Sequence, residues 1–230
     1  MTETALIVGA GSGLSAALAR LFAKEKMRVH LAARSTEKLA PLLAETGAHA
    51  LRCDASRREE VEALFAALDA EGGAPDLVVY NPSRRLAGAI AELDPDEVLK
   101  SLLVSCHGGF LVAQAAARRM LARGHGTILF TGASASVKGY ARSAPFAMGK
   151  FGLRGLAQSL ARELAPRNIH VAHFVIDGGI GRAGDPRARQ LGEDALLDPD
   201  AIAASYLHVH RQHRSAWTWE MELRPWVEKF

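Results

Sequence analysis

A glycine-rich segment near the start of the chain separates an apolar run from an amphipathic stretch. Residues 5–8 are apolar, residues 9–15 contain three glycines, and residues 16–22 have helical spacing. This order predicts a strand, a tight turn and the first turn of a helix. Glycines let the backbone approach a pyrophosphate, whose charge the free N–H groups of a helix N-terminus attract. The alternative is a tight turn that binds no ligand. The predicted dinucleotide-binding residues here are Gly9, Gly11, Ser12, Gly13 and Leu14.

Apolar strand-like runs alternate with helix-like stretches along the rest of the chain. The predicted strands span residues 5–8, 28–33, 48–52, 77–80, 127–131, 170–176 and 215–223. The predicted helices span residues 13–25, 36–46, 56–71, 95–122, 143–165 and 199–211. Such alternation is typical of a parallel sheet with helices on both faces. We therefore predict an α/β fold with a Rossmann-like, doubly wound sheet. Asp94 and Asp198, each followed by proline, are the expected N-caps of two helices.

The composition predicts one globular domain over residues 1–230. The apolar fraction of 49% is enough for a full core. The net charge is only +3 and the basic and acidic residues are interleaved, so we expect no nucleic-acid partner. Cys53 and Cys106 are isolated, which predicts no metal site and a reducing, cytoplasmic location. The first residues show no leader pattern, so we expect neither secretion nor membrane insertion.

A glycine-rich segment, residues 177–198, follows the strand predicted at 170–176. The carboxyl ends of strands in open α/β sheets are where ligands bind. We predict that this segment is a mobile substrate loop. The alternative is a solvated connection with no functional role.

Several residues, in chain order, resemble landmarks of the short-chain dehydrogenase/reductase family. The turn at residues 9–15 resembles the family's Thr-Gly-x-x-x-Gly-x-Gly, with a serine at its last position. Asp54 follows the third predicted strand, Asn81 follows the fourth, and Lys150 lies in a later helix at the family's Tyr-x-x-x-Lys position. Residues 177–180 resemble the segment that meets the nicotinamide carboxamide. Singly, these residues also fit a helix cap, a turn former and a solvated lysine.

The resemblance covers about residues 4–223 and implies a nicotinamide dinucleotide cofactor. The further cofactor-binding residues that it implies are Asp54, Asn81, Lys150, Gly178 and Ile180. Two departures are expected to weaken binding. Ser15 adds bulk beside the pyrophosphate, and Arg182 replaces the family's threonine near the nicotinamide.

The catalytic positions implied by the resemblance carry unusual residues. The family uses a tyrosine as proton donor, a serine that polarises the carbonyl and an asparagine that holds a water relay. These positions fall on Phe146, Ala133 and Ser105, with Ser134 beside Ala133. Phenylalanine has no proton to give. The implied catalytic set is therefore Lys150, Ser134 and Ser105, with Phe146 at the position of the tyrosine.

The sequence leaves open which residue replaces the tyrosine. Tyr140, Ser136 and Ser143 lie in the same strand-to-helix segment, and His107 lies in the preceding long helix. Histidine titrates near neutrality, but we expect His107 to be structural or interfacial. Tyr140 would need its loop to fold back.

The end of the second predicted strand indicates which dinucleotide is preferred. Ala33 stands where an acidic residue would bind the 2′-hydroxyl of NAD(H), and Arg34 follows it. A guanidinium can pair with a 2′-phosphate, and Ser35 is a further phosphate donor. We therefore predict that NADP(H) is favoured over NAD(H). The alternative is that Arg34 is a solvated residue at the start of the next helix.

Two functions of different classes are consistent with these residues. The first is an NADP(H)-dependent oxidoreductase that acts on a small-molecule carbonyl or alcohol with a non-standard proton donor. The second is a catalytically silent dinucleotide-binding sensor or regulatory protein. A purely structural subunit would not need the dinucleotide-binding residues. The apolar Phe146, Met148 and Phe151 lead us to expect a small or apolar carbonyl substrate.

Two long alanine-rich helices, predicted near residues 94–123 and 143–165, indicate self-association. The resembled family pairs through the corresponding helices, and small residues permit close helix approach. Trp226 and Phe230 would leave apolar groups near the surface of a monomer. We predict a homodimer or homotetramer.

Overall fold

The computed structural model of the protein describes residues 2–182 and 184–228, and it follows the predicted alternation of strands and helices. The strands are β1 (Thr4–Val8), β2 (Arg28–Ala33), β3 (His49–Arg52), β4 (Leu77–Tyr80), β5 (Gly126–Thr131), β6 (Ile169–Ile176) and β7 (Glu220–Leu223). The α-helices in these two ranges are α1 (Leu14–Lys24), α2 (Ala40–Thr46), α3 (Arg58–Ala70), α4 (Pro95–Leu102), α5 (Gly108–Arg123), α6 (Ala144–Leu164), α7 (Pro186–Leu191) and α8 (Pro199–His210).

The seven strands form one parallel sheet in the order β3-β2-β1-β4-β5-β6-β7. Helices α1, α2 and α8 cover one face, and α3, α5 and α6 cover the other. The predicted doubly wound α/β fold is confirmed. The chain order reverses between β1 and β4, which is where such sheets bind ligands at the carboxyl ends of their strands.

Both faces of the sheet are packed with large apolar side chains. On the α1 and α8 side, Phe174 and Tyr206 stack with ring centroids 3.7 Å apart. The Tyr206 hydroxyl is 2.9 Å from Thr131 Oγ1, so the polar end of this buried ring is satisfied. On the other side, Phe65 and Phe130 are fully buried. Both faces of the strands are therefore packed in the core, which fixes where the segments at their carboxyl ends begin.

The two predicted N-caps are confirmed. The Asp94 carboxylate accepts a hydrogen bond from the Asp96 N–H at 2.9 Å, and the Asp198 carboxylate accepts one from the Asp200 N–H at 2.7 Å. Each satisfies one of the free N–H groups at the start of its helix.

The helix predicted at residues 95–122 is divided into α4, a π-helical segment at Leu103–His107 and α5. The Tyr80 hydroxyl donates a hydrogen bond to the Val104 carbonyl oxygen inside that segment. A Cβ atom at Gly108 would lie 2.5 Å from that hydroxyl, so the glycine is needed for this approach. The apolar periodicity of a helix carries no signal for such a long-range contact, and the sequence analysis missed the interruption.

The last strand is shorter than predicted. The expectation of a strand from residue 215 is wrong, because β7 begins at Glu220 and a 3-10 turn occupies Arg214–Ala216. The Trp217 indole donates to the Gln212 carbonyl oxygen at 3.1 Å, and the Thr218 N–H donates to the Gln212 side chain at 2.8 Å. These hydrogen bonds satisfy polar groups of the segment within the segment itself.

Residues 177–198 contain helix α7, which the sequence analysis did not predict. A short parallel bridge joins Ile180 to Leu197 across the segment. Residue 183 of this segment lies outside the described residues. The mobility of the segment stays a prediction. Trp226 is 80% exposed, as expected, whereas Phe230 lies outside the described residues.

One helical stretch, Pro95–Arg123, is long and apolar enough by length and composition to cross a membrane. Its side chains Val112, Ala116 and Met120 are buried against the sheet. This packing is the pattern of a core helix, and Phe110 on its outer side is exposed.

Candidate active site

A cavity of about 320 Å³ opens at the carboxyl ends of β1 to β4. It brings together four predicted cofactor-binding residues that are far apart in the sequence: Gly9, Arg34, Asp54 and Asn81. Its other lining residues are Ala10, Ala33, Ala55, Ser56, Pro82, Ser83 and Val104. A larger cavity, of about 780 Å³, lies at the opposite edge of the sheet and is lined by none of the predicted site residues. The strand ends, rather than cavity volume, therefore locate the candidate site.

The glycine-rich turn leaves its ligand side open. Gly13 is the N-cap of α1 and no side chain caps this helix, so no side chain takes up the free N–H groups of its first turn. A Cβ atom at Gly11 or Gly13 would meet no atom within 4 Å. Gly9 has φ +82°, and a Cβ there would lie 2.7 Å from the Pro82 nitrogen, so this position requires glycine. The turn has the shape and the donors that a pyrophosphate needs, and Ser12 lies between its two open glycines.

The expected effect of Ser15 is wrong. Its side chain is buried and faces the protein, where its hydroxyl donates to the Gly9 carbonyl oxygen at 3.0 Å. The same hydroxyl accepts a hydrogen bond from Asn81 Nδ2 at 2.8 Å. Ser15 therefore joins the turn to the end of β4 and adds no bulk on the ligand side. Asn81 lines the cavity, and its side-chain amide holds the turn in place.

Asp54 and Arg34 both line the cavity, next to the carboxyl ends of β2 and β3. Burial raises the pKa of Asp54, but hydrogen bonds from the Ser56 hydroxyl and N–H and the charge of Arg34 outweigh it, so the pKa is lowered. Asp54 is therefore a carboxylate that can accept a hydrogen bond from an amino group. Arg34 is exposed and makes no ion pair among the described residues.

Ser35 is placed differently from the prediction. Its hydroxyl donates to Glu37 Oε2 at 2.6 Å, so it is already engaged with a carboxylate. That hydrogen bond also lowers the pKa of the exposed Glu37 carboxyl. The cation available to a 2′-phosphate at this end of the cavity is therefore Arg34, with the negative charge of Glu37 three residues away.

Lys150 lies in α6, one helical turn after Phe146, and is 2% exposed. Its ammonium group donates to the Thr131 carbonyl oxygen at 2.7 Å, at the end of β5. Its Nζ is 5.9 Å from the centroid of the Phe146 ring. Burial lowers the pKa of Lys150 from 10.5 to about 8. The site therefore contains a buried amine whose proton is exchangeable near neutral pH, beside a ring that cannot ionise.

The serines of the predicted catalytic set have different environments. Ser105 is fully buried in the π-helical segment, and its hydroxyl accepts the Arg84 N–H at 3.1 Å. Ser134 begins a short 3-10 turn after β5 and is half-buried. Ser136, by contrast, is fully buried and accepts the Ala133 N–H at 3.1 Å. Of these three hydroxyls, Ser134 is the one left for a substrate, whereas Ser105 and Ser136 hold backbone.

Of the remaining candidates for a proton donor, Ser143 is buried, whereas Tyr140 and His107 are exposed. Tyr140 is 48% exposed. His107 is exposed and contacts Phe110 with ring centroids 6.1 Å apart. A helical residue two positions from Ser105 points about 200° away from it. Since Ser105 faces α6, His107 faces outward.

The segment after β6 is fixed to the protein at several points. Asp177 is 4% exposed, and its carboxylate lies 3.6 Å from Lys138 Nζ. Gly178 has φ +153°, and a Cβ there would lie 2.7 Å from the Pro225 side chain. Ile180 packs against the core, and its carbonyl oxygen accepts from Arg187 Nη2 at 2.9 Å. Arg182 is exposed, with its nearest acidic partner, Asp185, 3.9 Å away.

Two features of the site were missed by the sequence analysis. The Arg85 guanidinium lies 5.7 Å from the centroid of the Phe146 ring. Under α6, His173 Nδ1 lies 3.1 Å from Glu220 Oε2, which also accepts from Arg154 Nε at 2.6 Å. A pair of arginines four and five positions after the end of β4 was the one available signal for the first feature. The second depends on β7 lying next to β6.

Known proteins match this chain over most of its length. Residues 3–181 match the family model for short chain dehydrogenase. Carbonyl reductase family member 4 from Danio rerio is 30% identical over 219 residues, which is 91% of each chain. A short-chain dehydrogenase structure from Rhodopseudomonas palustris is 38% identical, with a TM-score of 0.83, over 97% of this chain and 99% of that one.

A metagenomic short-chain oxidoreductase solved in complex with NADP is 26% identical, with a TM-score of 0.85, over 98% of both chains. The open glycine turn, the uncapped start of α1 and the cavity with Arg34 and Asp54 are suited to such a dinucleotide. The strand order, the helices on both faces and the match over residues 3–181 lead to one assignment. This chain belongs to the short-chain dehydrogenase family of oxidoreductases.

Proposed function

We propose that this protein is an NADP(H)-dependent oxidoreductase that reduces or forms a small carbonyl compound without a tyrosine proton donor. The observation that carries the proposal is the convergence of the open glycine turn, the cavity and Lys150 at one edge of the sheet. A protein that only needed a stable fold would gain nothing from a buried ammonium there, since burial of a charge is costly.

The preference for NADP(H) is supported by Arg34. The guanidinium is exposed at the cavity wall, and Ala33 leaves no acidic side chain at the end of β2. A 2′-phosphate there would gain a charge-assisted contact. The relative solved in complex with NADP supports a nicotinamide dinucleotide cofactor. Glu37 works against it, because its carboxylate lies on the same segment and repels a phosphate.

Carbonyl reduction needs one hydride and one proton. Bound NADPH would supply the hydride to the carbonyl carbon, and the chain must supply the proton to the oxygen. We assign the proton to Lys150, since Phe146 has none and the serines at 105 and 136 hold backbone groups. With its pKa lowered to about 8, the Lys150 amine is mostly protonated at pH 7 and is still able to release a proton. Ser134 is placed to polarise the carbonyl.

A second function is favoured by one observation. The Lys150 ammonium already donates to the Thr131 carbonyl oxygen, and the ring beside it is inert. A protein that binds the dinucleotide and performs no reaction would have this arrangement. The second candidate is therefore a catalytically silent sensor or regulatory protein.

The experiment is a titration with NADPH and NADH, followed by a carbonyl panel under single-turnover conditions. We expect NADPH binding and NADPH oxidation, with a rate that decreases above pH 8. Lys150→Gln should lose the oxidation even at saturating NADPH, which separates the loss of the proton donor from any loss of nucleotide affinity at this expected cofactor-binding position. Binding without turnover for any carbonyl would favour the silent protein, and binding of neither nucleotide would overturn both functions.

The assembly and location are proposals as well. We propose a homodimer or homotetramer built through α5 and α6, because Phe110, Met148 and Phe151 are each more than 40% exposed on these helices. We also propose a cytoplasmic location, since Cys53 and Cys106 are both free thiols.

A further inference from the structure

The Arg85 side chain lies over the Phe146 ring and extends from a backbone segment that is held by hydrogen bonds. The preceding residue, Arg84, donates its N–H to Ser105 Oγ at 3.1 Å and accepts from Ser101 Oγ at 2.8 Å through its carbonyl oxygen. Both serines are fully buried. The backbone before Arg85 is therefore held between two buried hydroxyls, and the Arg85 side chain begins from a defined position.

Arg85 forms no ion pair with a described residue, unlike Arg84, Arg187 and Lys138, which each lie within 4 Å of a carboxylate. Arg84 pairs with Glu97, and Arg187 pairs with Asp185 at 2.7 Å. Lys138 lies 3.6 Å from the Asp177 carboxylate. Within residues 2–182 and 184–228, Arg85 has no acidic side chain within 4 Å, and its contact is the face of Phe146 at 5.7 Å.

Two cations therefore lie near the Phe146 ring with no acidic group to balance them. Arg85 is 5.7 Å and Lys150 is 5.9 Å from the centroid of the ring. Lys150 is buried and bonded to a neutral carbonyl, whereas Arg85 is exposed at the mouth of the site. A guanidinium fork matches the two oxygens of a carboxylate, and partial exclusion of water strengthens the pairing.

The side chains that indicated an apolar substrate do not face this place. Met148 is 53% exposed and Phe151 is 44% exposed. They lie two and five positions after Phe146, which rotates them by about 200° and about 140° around the helix. Of the three side chains behind the expectation of a small or apolar substrate, only Phe146 therefore supports it, and Phe146 lies near two cations.

We propose that the substrate is an oxo acid, with a carboxylate held by Arg85 and its ketone directed to Lys150 across the Phe146 ring. This inference rests on the proposed oxidoreductase function. The alkyl chain between the two groups would lie on the apolar ring, and the carboxylate would neutralise the exposed guanidinium. Arg85 is then the residue that determines substrate specificity.

The test uses pyruvate, acetoacetate and levulinate, whose ketone and carboxylate are progressively further apart, with the methyl ester of each as its neutral match. Calorimetric titrations are run on protein saturated with NADP⁺, which cannot reduce a ketone, and on protein without nucleotide. We expect at least one acid to bind about tenfold or more tightly than its ester.

The variant is Arg85→Gln, and the matched control is Arg167→Gln. Arg167 is also exposed, but it lies at the opposite edge of the sheet, between α6 and β6. Arg85→Gln should remove the preference for the acid, Arg85→Lys should keep part of it, and Arg167→Gln should keep all of it. Equal binding of every acid and its ester, no binding of any of them, or an unchanged preference in Arg85→Gln would overturn the inference.

Turnover with NADPH separates this inference from the function on which it rests. In an active enzyme, Arg85→Gln should raise KM for the acid about tenfold and leave KM for the ester unchanged. Tight binding of an acid without any turnover would support the anion site and contradict the oxidoreductase. Turnover of esters and acids with equal KM would support the oxidoreductase and contradict the anion site.

Discussion

Lys150 is the buried charge whose effect on stability has a definite pH dependence. Burial lowers its pKa from 10.5 in the unfolded chain to about 8 in the folded protein. The folded state is therefore penalised below pH 8, where the amine is charged, and the penalty disappears between pH 8 and 10.5. The full difference corresponds to about 3 kcal/mol.

Urea denaturation of the wild type and Lys150→Met at pH 7 and pH 10.5 checks this. We expect the free energy of unfolding of the wild type to rise with pH relative to the variant. The comparison with the variant removes the contributions of other titrating groups. A difference between the two proteins that is constant over this pH range would show that the pKa of Lys150 is the same in the folded and the unfolded chain.

Phe146 lacks only the phenolic hydroxyl of the tyrosine that the family uses. A hydroxyl on this ring would lie near both Arg85 and Lys150, and nearby positive charge lowers the pKa of a phenol. We predict that Phe146→Tyr increases the single-turnover rate of carbonyl reduction with NADPH. Phe146→Leu, which also lacks a proton, is the control and should not increase it. No gain in the tyrosine variant, with nucleotide binding intact, would mean that Ala133 and Ser105 limit the reaction as well.

Arg34 is the residue on which cofactor preference depends. One charge-assisted contact is worth roughly 1.5–3 kcal/mol, so NADPH should bind about tenfold or more tightly than NADH. We predict that Arg34→Asp abolishes or reverses this preference, while Lys38→Asp, on the same exposed segment, reduces it less. Fluorescence titration of both nucleotides measures it. Equal affinities of the wild type for NADPH and NADH would contradict the prediction.

At the scale of elements, the contact of α6 with the π-helical segment positions the candidate catalytic residues. A Cβ atom at Gly149 would lie 2.7 Å from Ser105 Cβ, whereas one at Gly155, in the same helix, would meet no atom within 4 Å. We predict that Gly149→Ala destabilises the protein by about 1–3 kcal/mol through overpacking. Gly155→Ala should instead stabilise it by about 0.5–1 kcal/mol through helix propensity.

Chemical denaturation of the two alanine variants measures both effects, and single-turnover kinetics reports the position of Lys150. The turnover rate should decrease in Gly149→Ala only. If both variants had the same stability, α6 would not be held against the π-helical segment as closely as the structure shows.

Most elements of the fold could be predicted because their signals are local. Apolar periodicity gives the strands to within one or two residues, except for β7, and the Asp-Pro pairs give two helix starts. Parallel strands share their carboxyl edge, and so residues as distant as Gly9 and Asp54 could be assigned to one site.

The errors of sequence analysis occur where a side chain acts at a distance. Ser15 turns inward because Asn81, 66 residues later, donates to it. The break between α4 and α5 depends on the Tyr80 hydroxyl. Arg85 lies over Phe146 although no spacing in the sequence relates them. Such contacts become visible only once the strands are ordered.

At the scale of the whole molecule, the exposed apolar side chains on α5 and α6 predict self-association. Light scattering at micromolar concentration should give about two or four times the chain mass of 24.6 kDa. Phe151→Asp should lower that mass, because it would bury a charge at the interface. Ile90→Asp, which changes an equally apolar but separate exposed residue, is the control. A wild-type mass of one chain would mean that these helices pack only within the chain.

The two ends of the chain meet on the face covered by α1 and α8. Leu18 and Phe22 from the first helix share a core with Ile202 and Tyr206 from the last, and Glu3 pairs with His210, 207 positions later, at 2.7 Å. β1 lies in the middle of the sheet, and its partner β4 is about 70 residues away in the sequence. During synthesis, the part of α1 that packs on α8 must therefore remain uncovered until α8 has been made. Contacts this distant slow folding and leave apolar surface open to aggregation. We therefore expect this surface of the nascent protein to be the one that chaperones protect between the emergence of α1 and the arrival of α8.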